Sequence, residues 1–277
     1  MRPIRIGAYI LALAAILAPV LVWAEETAKE GIGVSPTTVF VTVDAGQTKT
    51  GNITVTNEGT GPVDVRLYAS NFKVRNEDYD KVFELPASAG RVSPANWFTM
   101  GASTTSLAVG EQKKIAYTLK VPASAAAGGY YGALFAETKA AKPDATGVVR
   151  IKRVGALAYI TVNGELKKGG KIESFKVNRW QQQPPVQSEL RVSNSGNVHF
   201  EVDGKLRLRN LFGGKVSEAP IKGVVIPETT RRFKLELVTG QKIGLYRVEG
   251  ELSYLDQQEV LGPKWVLLAS PLWLGLL

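Results

Sequence analysis

Polar and apolar residues alternate with a period of two along most of the chain, and this pattern constrains the fold most strongly. The alternation is clearest at residues 52–56, 63–68 and 113–121. Successive side chains of a strand point to opposite faces of a sheet, so these segments predict half-buried β-strands. Stretches rich in Gly, Asn and Pro, such as 57–62, separate them as turns do. No segment after residue 25 carries the apolar stripe of a helix, so the sequence predicts an all-β protein.

The pattern occurs twice along the chain. Residues 53–59 (Ile-Thr-Val-Thr-Asn-Glu-Gly) match residues 190–196 (Leu-Arg-Val-Ser-Asn-Ser-Gly). After each match come an alternating strand, a turn into a further strand, and a strand containing Gly and Tyr. This order predicts two immunoglobulin-like antiparallel β-sandwich domains in tandem. Asn and Gly tolerate the left-handed conformation of a strand-ending turn, so the Asn-x-Gly elements are interpreted as structural.

These features predict the boundaries of five segments: a signal peptide at 1–24, the first sandwich at 30–140, a linker or hairpin tip at 141–147, the second sandwich at 148–265 and an apolar tail at 266–277. The run 141–147 is small and polar and contains Pro and Gly. If 134–137 and 148–151 instead pair as one hairpin, the boundary moves to about Arg153.

The first 24 residues have the three-part pattern of a secretory signal. Arg2 and Arg5 precede an uncharged apolar run at 6–22, and Ala24 precedes two glutamates. An uncleaved membrane anchor is the alternative, because the apolar run approaches the ~20 residues of a bilayer span. The pattern predicts a secreted protein, exported by a Sec-type signal to the cell surface or the periplasm.

Composition narrows the possible chemistry. The chain has no Cys and one His, which excludes disulfides, thiolate metal sites and cysteine nucleophiles and argues against a histidine metal centre. The single His199 lies on the polar face of an alternating strand, without a catalytic motif around it. Residues 77–80 (Glu-Asp-Tyr-Asp) are interpreted as a solvated loop tip. We therefore expect no enzymatic activity and no cofactor. The net charge of +9 is scattered, and no nucleic-acid motif accompanies it.

Aromatic and paired basic residues are the candidates for ligand contact. The aromatic candidates could line a glycan or peptide groove, and the basic pairs could meet an anionic polymer. In the alternative interpretation, one member of each aromatic pair points into a sandwich core and the basic residues are solvated. The candidates are Trp97, Tyr130, Tyr131, Trp180, Lys113, Lys114, Arg231 and Arg232.

The C-terminal segment from Trp265 to Leu277 is uncharged. It is too short to span a bilayer and contains Pro271, so weak contact with a membrane surface through its tryptophans is one prediction. In the competing interpretation, residues 264–268 form the last strand of the second sandwich and Pro271 ends it.

Several short motifs resemble one family in their order along the chain. Residues 34–36 (Val-Ser-Pro), 44–47 (Asp-Ala-Gly-Gln) and 128–133 (Gly-Gly-Tyr-Tyr-Gly-Ala) are similar to the first domain of WxL-interacting cell-surface proteins. Residues 192–199, 211–214 and 225–227 are similar to their second, Ig-like domain. The first domain of that family is described as peptidoglycan-binding. The resemblance therefore implies a non-enzymatic cell-envelope protein that binds a cell-wall polymer or a surface partner protein.

The opening of the mature chain also resembles periplasmic pilus chaperones, which consist of two Ig-like domains. That resemblance implies a different function, in which the protein binds subunits by strand addition. Both alternatives are expectations from the sequence.

Overall fold

The computed structural model describes residues 31–84, 93–139 and 151–271. Within these ranges the chain consists of β-strands and one short 3-10 helix at Pro94–Trp97, so the predicted all-β class is confirmed. The strands form four sheets, which pack in pairs as two sandwiches. The predicted signal peptide lies outside the described residues.

The first sandwich consists of sheets A and B. The strands of sheet A, in spatial order, are β1 (Ile32–Ser35), β3 (Thr48–Asn57), β8 (Gln112–Lys120) and β6 (Phe98–Met100). Sheet B, in spatial order, contains β2 (Thr38–Val43), β10 (Arg153–Val162), β9 (Gly128–Thr138) and β4 (Val63–Val74), with β5 (Lys81–Glu84) and β7 (Thr104–Leu107) both paired to β4. Apolar residues from the inner faces of both sheets form the core, with Val55, Leu119 and Ile160 among the fully buried.

The second sandwich consists of sheets C and D. Sheet C contains, in spatial order, β11 (Gly170–Val177), β13 (Val186–Asn194) and β16 (Thr229–Leu237). Sheet D contains, in spatial order, β12 (Trp180–Gln181), β18 (Gln257–Leu268), β17 (Gly244–Tyr254), β14 (Phe200–Asn210) and β15 (Lys215–Val225). Its core includes the fully buried Leu190, Leu208 and Leu252.

Both sandwiches begin with a chain segment that changes sheets. β1 pairs antiparallel with β3 in sheet A, and after Ser35–Pro36 the chain crosses to sheet B, where β2 pairs parallel with β10. In the second sandwich, β11 pairs antiparallel with β13, and β12 then pairs parallel with β18 in the other sheet. These two parallel pairings depart from the purely antiparallel sheets that the sequence predicts.

The repeated Asn-x-Gly elements have equivalent positions, and their role is structural. Asn57 and Asn194 are 1% and 2% exposed. The side-chain amide of Asn57 donates to the carbonyls of Leu107 and Ala108, and that of Asn194 donates to the carbonyls of Val198 and Val225. Each side-chain oxygen accepts from the N–H of the glycine two residues on. The asparagines therefore satisfy buried backbone groups, and neither they nor these glycines adopt the expected left-handed conformation.

The strand pairing divides the sandwiches later than the predicted boundary at 148. β10 forms a long antiparallel hairpin with β9, with Arg153 opposite Glu137, and so belongs to the first sandwich. Residues 134–137 pair with 153–156 rather than with 148–151 as in the hairpin alternative, so the observed hairpin lies further along the chain than either expectation. Sheets of the second sandwich begin at Gly170.

The apolar C-terminal segment is partly a core strand. β18 runs to Leu268, and Val266, Leu268 and Ala269 are buried in the second sandwich. This matches the competing interpretation of residues 264–268 as the last strand, whereas the predicted tail was to begin at 266. Residues 272–277 lie outside the described residues. In the described part of the chain, no helix has the length and apolar character needed to cross a membrane.

Candidate functional site

A continuous row of aromatic side chains crosses the outer face of sheet B, the face directed toward the second sandwich. Phe40 on β2 stacks on Tyr159 of β10, with ring centres 5.2 Å apart. Tyr159 contacts Tyr131 at 5.8 Å and Phe72 at 5.5 Å, and the chain of ring contacts continues from Phe72 to Phe83. Strand alternation explains the row, because the neighbours of these residues on each strand point into the first core. We call this set the aromatic row; its members are Phe40, Tyr68, Phe72, Phe83, Tyr131, Phe135 and Tyr159.

His199 of the second sandwich closes one end of the aromatic row. Its ring lies 5.2 Å from Tyr159, 5.7 Å from Tyr131 and 6.0 Å from Phe40. Burial lowers the pKa of His199 to about 4, because the charged imidazolium loses its hydration there. Burial also raises the pKa of Tyr131, and that of Tyr159 to about 12. The imidazole and both phenols are thus uncharged at neutral pH and act as packing groups in an interdomain contact. For His199 this differs from the expected solvent-facing position.

The loop between β4 and β5, residues 75–80, reaches across to the second sandwich; we call it the hook. Glu77 accepts two hydrogen bonds from the guanidinium of Arg191, and its backbone carbonyl accepts from the N–H of Arg232 at 2.7 Å. Asp78 accepts from Arg232 at 2.9 and 3.1 Å and from Lys234 at 3.0 Å. The acidic run predicted to be a solvated loop tip is therefore an interdomain contact, because its carboxylates face cations on β13 and β16.

Tyr79 inserts the centre of the hook into the second sandwich, where its side chain is buried. Its phenol oxygen accepts a hydrogen bond from the N–H of Ile226 at 2.9 Å and lies 2.5 Å from Oγ1 of Thr229. The guanidinium of Arg231 lies over the Tyr79 ring, 4.6 Å from its centre. Burial is the largest cause that raises the pKa of Tyr79. Hydrogen bonds, ion pairs and ring contacts thus fix the hook at one position.

The two predicted basic contacts on β16 both take part in this interdomain contact. Arg231 is largely buried between the rings of Tyr79 and Phe233 and donates to the carbonyl of Val224 at 2.8 Å. Arg232 pairs with Asp78. Their role in ligand binding stays a prediction, since their side chains already have partners within the chain.

The other predicted residues do not form one groove. Trp97 is buried in the first core, where Tyr130 packs on it with ring centres 4.6 Å apart. Tyr131 lies on the opposite face of β9 in the aromatic row, as period two requires. Trp180, 47% exposed, lies in the second sandwich and donates from Nε1 to the carbonyl of Ala269. Lys113 and Lys114 extend from an exposed part of β8 on sheet A, whereas Tyr130 and Tyr131 lie on sheet B and Trp180 lies in the second sandwich.

The outer edge of β2 presents backbone groups without partners. The carbonyls of Thr37 and Val43 accept from N–H groups of β10, so the odd-numbered residues of β2 turn their backbone groups toward β10. Thr38, Phe40 and Thr42 turn theirs away, and within the described residues nothing hydrogen-bonds to them. Phe40 is 48% exposed beside this edge. The edge is therefore able to pair with a further strand.

The composition of β2 distinguishes it from the other long edge strands in the described ranges. β2 reads Thr-Val-Phe-Val-Thr-Val, with no charged residue and no proline. β11, β15 and β16 carry lysines or arginines, and β15 also contains Pro220. Charges and proline on an edge discourage pairing with another chain. β2 lacks these features, so it is the long described edge best suited to accept a strand.

Sequence reasoning missed most of this site. Phe40 was treated as part of an ordinary strand, and Phe72, Tyr79 and Tyr159 were not singled out. Period two alone could have predicted part of the aromatic row, since Phe40 faces away from Val39 and Val41, and Tyr131 and Phe135 share one face.

The described residues include no cluster of acidic and histidine side chains arranged to hold a metal ion. The expectations of no cofactor and no catalysis stay predictions.

The fold and the site define a class: a tandem pair of immunoglobulin-like β-sandwiches joined by a fixed contact, with an uncharged strand edge at β2. No family model and no curated protein matches the chain. It is similar to solved structures of fimbrial chaperones, at low identity. One is the CsuC-CsuE chaperone-tip adhesion subunit pre-assembly complex of Acinetobacter baumannii, with 13% identity over 83% of this chain and 97% of that chain and a TM-score of 0.44. Another is the class 5 fimbriae chaperone CfaA, with 12% identity over 84% of this chain and 100% of that chain and a TM-score of 0.42. A third is the CupB2 chaperone of Pseudomonas aeruginosa, with 11% identity over 84% of this chain and 100% of that chain and a TM-score of 0.41. Similarity at this level assigns no function to the chain, and the resemblance to WxL-interacting proteins has no support from these comparisons.

Proposed function

We propose that the protein is an exported, non-enzymatic binding protein that takes up an extended segment of a partner protein on the open edge of β2. This is the strand-addition function that was the alternative from the sequence. The observation that carries it is the row of unpaired backbone groups at Thr38, Phe40 and Thr42. A segment lying beside β2 would satisfy these groups as a further strand of sheet B.

Side chains next to the edge would select the segment. A strand added beside β2 places alternate side chains on the two faces of sheet B. On one face they would extend the aromatic row next to Phe40, and on the other they would lie beside the half-buried Val39 and Val41. The proposal therefore specifies a segment with apolar or aromatic residues on both faces at this position, without charges.

The hook supports the proposal by fixing the second sandwich next to the edge. His199 contacts Phe40 from the second sandwich, so the outer end of the aromatic row is bounded by both domains. A partner segment at β2 would lie at the mouth of the interdomain contact.

Binding to a cell-wall polymer, the main expectation from the sequence, stays a prediction. The aromatic residues proposed to line a glycan groove do not share one surface: Trp97 is buried against Tyr130, Tyr131 lies on the opposite face of β9, and Trp180 lies in the second sandwich. A pull-down of the purified protein with peptidoglycan sacculi, against a control without sacculi, tests that expectation directly.

The strand-addition proposal is tested with a substitution that removes one outward hydrogen-bond donor. Thr42→Pro deletes the N–H that points away from β10 and leaves the β2–β10 hydrogen bonds in place, since edge strands tolerate proline. The probe is a fluorescent, end-capped peptide of alternating Val and Tyr, about as long as β2, which places apolar or aromatic side chains on both faces without charges. We expect Thr42→Pro to weaken binding about tenfold, because one backbone hydrogen bond contributes ~1 kcal/mol and the proline ring adds steric hindrance.

Two controls isolate the backbone contribution. Thr42→Ala removes the same side chain but keeps the N–H, and it should bind the peptide like the native protein. A peptide N-methylated at alternate residues loses its hydrogen bonds along one edge and should not bind. Equal binding by Thr42→Pro and Thr42→Ala would contradict strand addition at β2.

A further inference from the structure

A groove in the second sandwich lies between β11, the turn that follows it, and β18. Its volume is about 710 Å³. We call it the basic groove; its lining residues include Phe175, Lys176, Arg179, Pro263, Lys264 and Trp265. The basic groove lies in the second sandwich, whereas the β2 edge lies in the first. A ligand of the groove is therefore independent of strand addition at β2.

Three cations of the basic groove have no acidic partner. Within the described residues, Lys176, Arg179 and Lys264 form no ion pair, and no carboxylate is among the groove's lining residues. Elsewhere in this sandwich, cations on the sheet faces are typically paired, as Arg207 is with Glu218 and Glu251. Glu189 lies opposite Lys176 in the strand register, but no carboxylate lines the groove itself, so its three positive charges attract an anion.

Aromatic surface lies beside these charges. Trp265 is 46% exposed, and Phe175 is half-buried on the other side of the groove. A half-exposed indole offers a flat apolar face and a polar edge. Sugar rings present a similarly flat face of C–H groups, and an acidic sugar adds a carboxylate or phosphate within reach of the cations.

The backbone around the basic groove is tightly fixed. The N–H of Leu267 donates to the carbonyl of Arg179 at 2.7 Å, which joins the two walls. Gly262 has a φ of +88°, and a Cβ there would lie 2.7 Å from the carbonyl oxygen of Val248. The irregular step of β18 before Lys264, where its pairing with β17 shifts register, therefore requires glycine. A groove held in this way is preorganised, which lowers the entropic cost of binding.

We infer that the basic groove binds an acidic polysaccharide, with Lys176, Arg179 and Lys264 facing its anionic groups and Trp265 packing on a sugar ring. Charge complementarity and the exposed indole favour this ligand. A concave groove does not match the flat surface of a bilayer, and an acidic peptide would have no use for the aromatic face.

The test measures binding of the full chain to polygalacturonate at low and moderate salt. We expect Arg179→Gln/Lys264→Gln to weaken binding at least about tenfold and to reduce its salt dependence. Lys215→Gln/Lys242→Gln is the matched control. It removes two cations of the same sandwich that lie outside the groove and also form no ion pairs, and it should bind like the native protein. Thermal unfolding checks that both variants fold.

Further binding measurements distinguish an acidic polysaccharide from other classes of ligand. Trp265→Thr should weaken polygalacturonate binding but leave binding to poly-L-glutamate unchanged, and neutral dextran should not bind. An equal loss of polygalacturonate binding in both double variants would show that net charge alone determines binding, and it would overturn the proposal. Tighter binding to poly-L-glutamate, or to vesicles containing phosphatidylglycerol, than to polygalacturonate would overturn it as well.

Discussion

The phenol oxygen of Tyr79, in the first sandwich, lies 2.5 Å from Oγ1 of Thr229, in the second. Thr229 donates its own hydrogen to the carbonyl of Ile226 at 2.8 Å, so the Tyr79 hydroxyl is the donor in this pair. The same phenol oxygen accepts from the N–H of Ile226. Residues 150 positions apart in the chain thus form one hydrogen-bonded group, which fixes the orientation of the two domains.

Tyr79→Phe removes this group while keeping the ring. The N–H of Ile226 would then be buried without its partner, which typically costs ~1–3 kcal/mol. We expect urea unfolding to show a loss of that size. Tyr130→Phe is the matched control, because the Tyr130 hydroxyl makes one exposed hydrogen bond, to the carbonyl of Ala126, and its loss should change stability by less than ~1 kcal/mol. Similar losses in both variants would refute a special role for the Tyr79 hydroxyl.

The acidic residues of the hook make the domain contact sensitive to acid. Hydrogen bonds from Arg191 lower the pKa of Glu77, and those from Lys234 and Arg232 lower the pKa of Asp78. Their contribution is therefore present above the ordinary values of 4.5 and 3.8 and is lost as the pH falls through the lowered values. Glu77→Gln/Asp78→Asn should unfold with a weaker pH dependence below about pH 4.5 than the native protein.

A control inside one sandwich separates domain orientation from general stability. Arg207 lowers the pKa of Glu251 within sheet D. Glu251→Gln should likewise weaken the acid dependence, but small-angle scattering of that variant should match the native profile, whereas the hook variant should show altered domain orientation. Native scattering from the hook variant would mean that the ion pairs do not hold the domains.

His199 should titrate far below an ordinary histidine. Its pKa is lowered by burial from 6.5 to about 4. The unfolded chain binds the proton first, so stability is complete above about pH 6.5 and declines by roughly 2–3 kcal/mol as the pH falls to about 4. The chain has one histidine, so its imidazole signals in NMR are unambiguous. A midpoint near 6.5 in the folded protein would show that the ring is solvated, and His199→Gln should flatten the stability profile in this range.

Two glycines with similar backbone conformations distinguish strain from steric clash. Gly213 and Gly262 have φ of +84° and +88°, but a Cβ meets nothing within 4 Å at Gly213 and lies 2.7 Å from the Val248 carbonyl at Gly262. Gly213→Ala should cost ~1–2 kcal/mol from its conformation alone. Gly262→Ala should cost clearly more in the same unfolding measurement. Equal costs would mean that the irregular step of β18 before Lys264 shifts freely to relieve the clash.

Local patterns predicted the strands well, because period two depends only on neighbouring residues. The opposite directions of Tyr130 and Tyr131 follow from it directly. The same rule does not apply to Trp97 and Phe98, which are both buried because a 3-10 turn interrupts the strand there. Local alternation favoured a strand at 148–151 but did not single out β10, and the partners of β10, β2 and β9, are specified by tertiary packing rather than by local alternation.

Local sequence patterns could not predict the interdomain site, for a related reason. An acidic run such as residues 77–80 has the composition of a solvated tip, and only the cations of Arg191 and Arg232, more than a hundred residues later, give it partners. Long-range ion pairs leave no periodic signal in one sequence. The basic groove was missed likewise, because Arg179 and Lys264 meet only through the parallel pairing of β12 with β18.

The parallel pairing of β2 with β10 sets the order in which the proposed binding edge can arise. Thr38 lies opposite Leu157, so the first long strand of the first sandwich has its partner near that sandwich's other end. Contacts this distant in sequence form slowly and late in folding. During synthesis, β2 would emerge long before β10. In a nascent chain the edge of β2 would therefore not yet be ordered. Binding of a partner segment at β2 would indicate that the first sandwich had folded completely.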